Sequence, residues 1–310
     1  MSAVEIGGQG WRRLLPVVGL GGRVAWPLTE GVRWGGVGGW SGGRLDRSWE
    51  VSMRVDKNQP GERASTRRRS SRQMEKLVRK YGHWMQRSGG ALIDGYGEEA
   101  AAVIRGEIRG ENRQLLRRLP YIGGRRNTYS SDLASSAWAL ATYRVIVRHG
   151  GSLEDTGELI RDVVRAEFER IPHGVRSLMV RYRFSRLRQQ KLERAAKRSQ
   201  ARRYPGDWVF ETVDGHGKAF DFGIDMTECG IVKFLHTEGA DELCPYLCDI
   251  DYVMVEAMGF GLQRTKTLAW GCDRCDFRLS RDAVTPALWP PEFVEQTCGQ
   301  SQTDATTTAS

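Results

Sequence analysis

Two periods of hydrophobic residues divide the sequence. Between about residues 72 and 204, apolar side chains such as Leu77 and Tyr81 recur every three or four positions, which is the spacing of one face of an α-helix. Beyond residue 205 the period changes to two in short segments such as 208–213, which is the alternation of a β-strand. The pattern therefore predicts a helical half, followed by a half that contains strands over 205–282.

Proline and glycine residues mark the expected helix ends in the first half. Pro120 disfavours the α conformation in the residue before it, so a short helix is expected to stop at about residue 119. Gly106 and Gly110 are expected to weaken the end of the preceding helix. Helices are predicted at about 72–84, 91–108, 112–119, 131–148, 152–171 and 175–202.

Two of these helices begin with residues that favour helix capping. Ser131 or Asp132 is expected to cap one helix, because short oxygen-bearing side chains accept hydrogen bonds from the first free amides. Ser152 and Asp155 have the spacing of a capping box, with aspartate in place of glutamate.

The second half predicts a mixed arrangement of strands and helices. Alternation predicts two strands joined by a turn at Asp214-Gly-His-Gly, then two helices, then a second strand pair around Gly271. The resulting β-β-α-α-β-β order, with the helical half packed on it, predicts an α+β fold. These segments lie at 208–213, 219–226, 230–237, 241–258, 262–270 and 275–279.

The composition of the two ends of the chain indicates little regular structure there. Residues 1–52 contain 13 of the 37 glycines and five of the ten tryptophans, and a basic polar linker follows to residue 71. We interpret this segment as a disordered extension, either upstream of a true start at Met53 or acting as a Trp/Gly-rich binding arm. Residues 283–310 are expected to be a frayed tail.

Composition limits the class of protein. The 310 residues include 47 Lys and Arg against 38 Asp and Glu, for a net charge of +9, and 40% are hydrophobic, enough for a core. No stretch approaches the roughly 18 apolar residues of a membrane span, and no secretory signal is evident. We therefore expect a cytoplasmic protein in a reducing compartment, whose six cysteines are thiols or metal ligands.

The cysteines are the strongest chemical signal, since all six follow residue 228. Cys244 and Cys248 would share one helix face, and Cys272 and Cys275 form a Cys-x-x-Cys turn. Three interpretations remain open: a metal site, such as zinc held by these four residues, reactive thiols, or inert core residues.

Carboxylates accompany the cysteines. A carboxylate beside a thiol can orient a substrate cation or transfer a proton. For Asp249 and Asp273 the preferred interpretation is a solvated surface charge.

Four segments of this last third carry a family resemblance. They are Glu228-Cys-Gly-Ile-Val-Lys-Phe, Leu243-Cys-Pro-Tyr-Leu-Cys-Asp-Ile-Asp, Arg264-Thr-Lys-Thr-Leu-Ala-Trp-Gly and Cys275-Asp-Phe-Arg. In order and spacing the chain resembles the L-2-amino-thiazoline-4-carboxylic acid hydrolase family over about 72–282. The resemblance implies hydrolytic opening of a cyclic amidine to a carbamoylated cysteine, on the way to cysteine. The positions it carries over are Cys229, Cys248, Asp251, Arg264, Thr265, Gly271, Cys275, Asp276, Phe277 and Arg278.

Roles for these positions follow from the chemistry that the implied reaction requires. Cys275 or Cys248 would attack the amidine carbon, and Asp251 and Asp276 would hold the amidine and transfer protons. Cys229, at a helix start, could gain thiolate character from the helix N-terminus.

Substrate binding would fall to Arg264, Thr265 and Arg278. A guanidinium group can donate two parallel hydrogen bonds to the substrate carboxylate, and Arg264 is therefore the candidate for binding it. The alternative for Arg264 is an exposed strand residue in a cross-strand ion pair.

A zinc-containing nucleic-acid-binding protein is the competing hypothesis. Residues 176–203 contain eleven Lys and Arg against the single acid Glu193, a pattern that could follow a phosphate backbone. A solvated face of an amphipathic helix explains the same charges, and no nucleic-acid-binding motif accompanies them. We therefore expect a small carboxylate-bearing substrate as the partner, with neither a membrane nor nucleic acid.

Overall fold

The computed structural model describes residues 71–283 and 285, except for 88, 125–126 and 216–218. The predicted N-terminal extension, apart from residue 71, lies outside the described residues. So do residues 284 and 286–310 of the predicted tail and the last two residues of the Asp214-Gly-His-Gly turn.

Seven helices form the described part of the first half. Their order and approximate positions agree with the helical period of the sequence. They are α1 Ser71–Arg87, α2 Gly89–Tyr96, α3 Glu98–Arg118, α4 Ser130–Arg148, α5 Leu153–Glu169, α6 His173–Arg183 and α7 Arg186–Ser199.

The break between α2 and α3 does not lie where the glycine positions predicted it. α3 runs through both Gly106 and Gly110, and the chain breaks at Gly97 instead, with φ of 80° and ψ of 163°. That backbone conformation is accessible essentially only to glycine. The predicted stop before Pro120 is confirmed, since α3 ends at Arg118.

The caps agree with prediction in one helix and differ in another. Ser152 and Asp155 form the predicted capping box, with reciprocal bonds of 3.0 and 2.8 Å between backbone amides and side chains. α4 instead begins after Tyr129 without any side-chain cap, so the prediction for Ser131 or Asp132 was wrong.

The predicted long basic helix is two helices. α6 ends at Arg183, and Ser185 starts α7 by accepting a hydrogen bond from the amide of Arg188 at 3.3 Å. A competent N-cap inside a helical period can end one helix and begin another. The break separates the basic residues of α6 from those of α7.

The second half has the predicted order of elements. It contains β1 Val209–Asp214, β2 Phe222–Glu228, α8 Gly230–Thr237, α9 Cys244–Met258, β3 Gly261–Gln263 and β4 Cys275–Ser280. The strands form an antiparallel sheet in the order β1-β2-β4-β3. The fold is therefore α+β, as predicted.

The second strand pair is shorter than the alternation predicted. β3 contains three residues, and the chain then leaves the sheet through a 3₁₀ turn at Leu268–Trp270 before β4 begins. Gly271, with φ of 78°, closes that turn. The loop between β3 and β4 therefore lies beside α9 instead of extending the sheet.

The two halves share one hydrophobic core. Trp138 of α4 and Phe260 after α9 are both fully buried in it, and Tyr129 stacks on Trp208 with ring centres 4.9 Å apart. Arg165 of α5 also pairs with Glu256 of α9 at 2.9 Å. In the part of the chain that the structure describes, no helix is long and apolar enough to cross a membrane.

Candidate active site

Three separate segments bring three free thiols together. Cys229 is the N-cap residue of α8, Cys248 lies in the second turn of α9, and Cys275 is the first residue of β4. The Thr267 hydroxyl lies between two of them, 3.7 Å from the sulfur of Cys248 and 3.5 Å from that of Cys275. The amide of Leu268 donates to the Cys275 sulfur at 3.2 Å.

A buried arginine lies against this thiol cluster. The Arg264 side chain is only 7% exposed, and its guanidinium donates to the Asp251 carboxylate at 3.0 Å and to the Cys248 carbonyl at 3.1 Å. The rings of Tyr252 and Phe277 lie 5.0 and 5.4 Å from the guanidinium carbon. Arg264 is therefore neither exposed nor in a cross-strand ion pair, contrary to the alternative considered for it.

Burial keeps the thiols protonated near neutral pH. It raises the pKa of Cys248 to about 11, although the Arg264 charge acts in the opposite direction. It raises the pKa of Cys229 to about 12, against the lowering effect of the Val232 and Ile231 amides at the start of α8. The pKa of Cys275 is raised for the same reason. The helix N-terminus thus does not outweigh desolvation at Cys229.

Asp276 and Thr265 organise the loop between β3 and β4. One Asp276 oxygen accepts the backbone amides of Thr265 and Lys266 at 2.8 and 2.6 Å, and the other accepts the Thr265 hydroxyl at 2.5 Å. Both carboxylate oxygens are thus engaged. This bonding fixes the loop that carries Arg264 and Thr267.

Arg278 is directed away from the thiols. Alternation along β4 places Arg278 on the face of the sheet opposite Cys275 and Phe277. Its guanidinium donates to Asp225 on the neighbouring strand at 2.7 Å and lies over the ring of Phe220. The structure therefore does not bring this predicted substrate-binding residue to the cluster.

Two charged residues of the helical half adjoin the site, and the sequence did not single them out. Arg183, the last residue of α6, stacks on Phe260 at 5.2 Å, and its buried Nε has no hydrogen-bond partner among the described residues. Burial raises the pKa of Asp251, and the positive charges of Arg264 and then of Arg183 act against that rise. Asp132 in α4 also interacts with Asp251: burial, and then the negative charge of Asp251, raises the pKa of Asp132 to about 6.

Two of these carboxylates are accessible to solvent. The Asp251 side chain is 40% exposed although burial raises its pKa, and Asp132 is exposed as well. Neither Arg183 nor Asp132 was recognisable from the sequence as a neighbour of Asp251. Arg183 is one of eleven basic residues in 176–203, and Asp132 resembled a helix cap. Only the packing of α4 and α6 against the second half reveals them.

Asp249 corrects another expectation. The residue is 7% exposed, and its Oδ2 atom has no hydrogen-bond partner in the described structure. Burial raises its pKa to about 6, partly offset by the charge of Arg161. Asp249 is thus not the solvated surface charge that was expected. Asp273 agrees with that expectation, since its side chain is 60% exposed and pairs with Lys266.

The four-cysteine set proposed for a metal is not assembled. Cys244 is free and buried on α9, whereas Cys272 is disulfide-bonded, contrary to the expectation that all six cysteines are thiols or metal ligands. Among the described residues, no group of three or more His, Cys, Asp and Glu side chains is arranged to hold a metal ion.

Comparison with known proteins agrees with the site geometry. The model of the L-2-amino-thiazoline-4-carboxylic acid hydrolase family matches residues 136–279, which include the three thiols, Arg264 and Arg183. No curated protein and no solved structure matches the chain. The match is shorter than the resemblance predicted over 72–282. Residues 136–279 nevertheless confirm the predicted resemblance over that segment, which matches the L-2-amino-thiazoline-4-carboxylic acid hydrolase family.

Proposed function

We propose that this protein hydrolyses a small cyclic amidine that carries a carboxylate, as the name of the matching family suggests. The observation that carries the proposal is the grouping of Cys229, Cys248 and Cys275 beside the buried Arg264–Asp251 pair. Sulfur nucleophiles, a carboxylate and a guanidinium are the groups that such a reaction requires.

Cys248 is the nucleophile that we favour. Cys248 is partly exposed whereas Cys275 is buried, and the Arg264 charge opposes the rise that burial causes in the pKa of Cys248. Because the thiol is protonated at rest, the reaction needs a base. Asp251 lies three residues later on the same face of α9 and is accessible to solvent, so it is positioned to accept the proton.

The reaction consumes one water molecule. The Cys248 sulfur adds to the amidine carbon, the ring carbon–nitrogen bond breaks, and its electron pair and a proton from Asp251 form the amine. Water then displaces the cysteine sulfur from that carbon, which leaves a carbamoylated cysteine and restores the thiol. Such a product suggests a route that supplies cysteine.

Arg183 is the residue that we propose to bind the substrate carboxylate. Arg264 was the sequence-based candidate, but its guanidinium already donates to Asp251 and to the Cys248 carbonyl. Arg183 lies close enough to Asp251 for its charge to act on that carboxyl group, and no carboxylate among the described residues forms an ion pair with it. A guanidinium can bind a carboxylate through two parallel hydrogen bonds.

The test is turnover of L-2-amino-thiazoline-4-carboxylate by the full chain, with the carbamoylated product identified by mass spectrometry. Cys248→Ser should lower turnover at least about a hundredfold, because serine is a far weaker nucleophile without a dedicated base. Cys244→Ser is the matched control, since Cys244 is also a free thiol on α9 but lies one turn away. It should retain most of the activity.

Two outcomes would contradict the proposal. Absence of any turnover by the wild-type chain would reject the substrate class. Full turnover in both Cys248→Ser and Cys275→Ser would reject the thiol mechanism, and loss in Cys275→Ser alone would transfer the nucleophilic role to that residue.

A further inference from the structure

A basic cavity lies on α7, and the proposed reaction does not use it. Its volume is about 370 Å³, and none of its lining residues belongs to the thiol cluster. The cavity is lined by Thr128, Tyr182, Arg188, Lys191, Arg194 and Arg198.

The four cations of the cavity share one face of the helix. Arg188, Lys191, Arg194 and Arg198 follow one another at intervals of three, three and four residues, so their side chains point in the same direction. Thr128, from the segment before α4, and Tyr182 of α6 also line the cavity, and both side chains carry hydroxyl groups. Three elements therefore contribute to the cavity.

These cations are not neutralised by the described part of the protein. No carboxylate among the described residues forms an ion pair with any of the four, and no acidic side chain lines the cavity. Lys191 donates to the Tyr182 hydroxyl at 3.3 Å and lies over that ring at 5.7 Å. Like charges at helical spacing repel one another, and a bound anion would relieve that repulsion.

We infer that this cavity binds a small molecule bearing two or more phosphate groups. Three arginine forks and an ammonium group match the several oxygens and negative charges of such a ligand. A monocarboxylate would neutralise only one of the four charges. The volume lies within the range of about 300–1,000 Å³ for small-molecule sites.

The convergence of the cations favours a compact ligand over a nucleic-acid strand. The break at Ser185 ends the long basic helix that a continuous phosphate backbone could have followed. What remains on α7 is a cavity that residues of two other segments also line, which suits a ligand of limited length.

Binding of inorganic pyrophosphate to the full chain, measured by isothermal titration calorimetry, tests the inference. Lys191→Gln and Arg194→Gln should each weaken binding about tenfold, the value of one charge-assisted hydrogen bond. Lys197→Gln is the matched control, because Lys197 is an exposed cation of the same helix that does not line the cavity. It should change the affinity by no more than about threefold, as expected for a solvated charge.

The outcomes distinguish a specific binding site from nonspecific electrostatic attraction to the basic helix. Lys191, Arg194 and Lys197 are all exposed, so the variants should fold, and circular dichroism checks that they do. Equal weakening by Lys197→Gln would overturn the inference, as would the absence of pyrophosphate binding at millimolar concentration. Binding of a single-stranded oligonucleotide that pyrophosphate does not displace would overturn it in favour of a nucleic-acid surface.

Discussion

The carboxylate of Asp249 has an unfavourable location for a charged group. It is almost fully removed from solvent, one of its oxygens lacks a partner among the described residues, and burial raises its pKa from 3.8 to about 6. Between these two values the folded state binds more protons than the unfolded state. Stability therefore falls as the pH rises through this window, since ionisation in the folded state is disfavoured.

Asp249→Asn should remove this pH dependence. The variant should be more stable than the wild type above pH 6, on the order of 2 kcal/mol, because its side chain is never charged. Below the ordinary pKa of aspartate the two proteins should be nearly equally stable. Urea unfolding on both sides of the window measures the difference, and Asp273→Asn, at an exposed acid, is the control. Lower stability of Asp249→Asn at neutral pH would show that the ionised form is the stabilising one.

The site was predictable at the residue scale only where the residue type itself carries information. The cysteine-rich segments and Arg264 were recognisable from the sequence, because thiols in such spacing are uncommon and chemically specific. The environment of Asp249 and the approach of Arg183 to Asp251 were not. Each depends on contacts between residues far apart in the chain, which short-range patterns do not encode.

At the scale of elements, one glycine ends a helix while another lies inside a helix without interrupting it. Gly97 separates α2 from α3 with a φ of 80°, whereas Gly106 lies within α3 in helical conformation. A side chain would meet no atom within 4 Å at either position. The two positions therefore differ in backbone conformation and not in available space.

Alanine at these two positions should change stability in opposite directions. Gly97→Ala should destabilise the protein by about 1–3 kcal/mol, the cost of placing a side chain in a conformation reserved for glycine. Gly106→Ala should stabilise it by about 0.5–1 kcal/mol, through helix propensity. Thermal unfolding of the two variants checks this pair, and a stabilising Gly97→Ala would contradict the assigned break.

Most elements were predictable because their local signals agreed with their packing. The capping box at Ser152 and the stop before Pro120 are local and were predicted. The breaks at Gly97 and at Ser185 were missed, because the hydrophobic period continues across both. In such a segment, one residue with a different backbone preference decides where the helix ends.

At the scale of the whole molecule, charged contacts join the two halves in addition to the shared core. Arg144 of α4 reaches Glu111 of α3 at 3.3 Å and the Glu238 carbonyl, just after α8, at 2.8 Å. Arg118 donates to the Glu238 carboxylate as well. The order of α and β segments predicted the fold class, but it could not predict which side chains would join them.

The two halves should unfold in one transition. Arg144→Met should lower the stability of that transition by about 2 kcal/mol without splitting it, since Arg144 makes charge-assisted hydrogen bonds across the halves. Arg148→Met is the matched control, because the ion pair that Arg148 of the same helix forms with Glu107 among the described residues is exposed and 3.6 Å long. Scanning calorimetry measures both variants, and two resolved transitions would contradict a shared core.

Two buried cysteines, Cys275 inside the thiol cluster and Cys244 outside it, can report the opening of the protein. Cys275, at 4% exposure, and Cys244, at 3%, belong to the hydrophobic core that the two halves share. An alkylating reagent reaches these sulfurs only when that core opens. The half-life of the two thiols in excess reagent therefore reports how often the native structure opens, a rate that no surface probe of this protein would record.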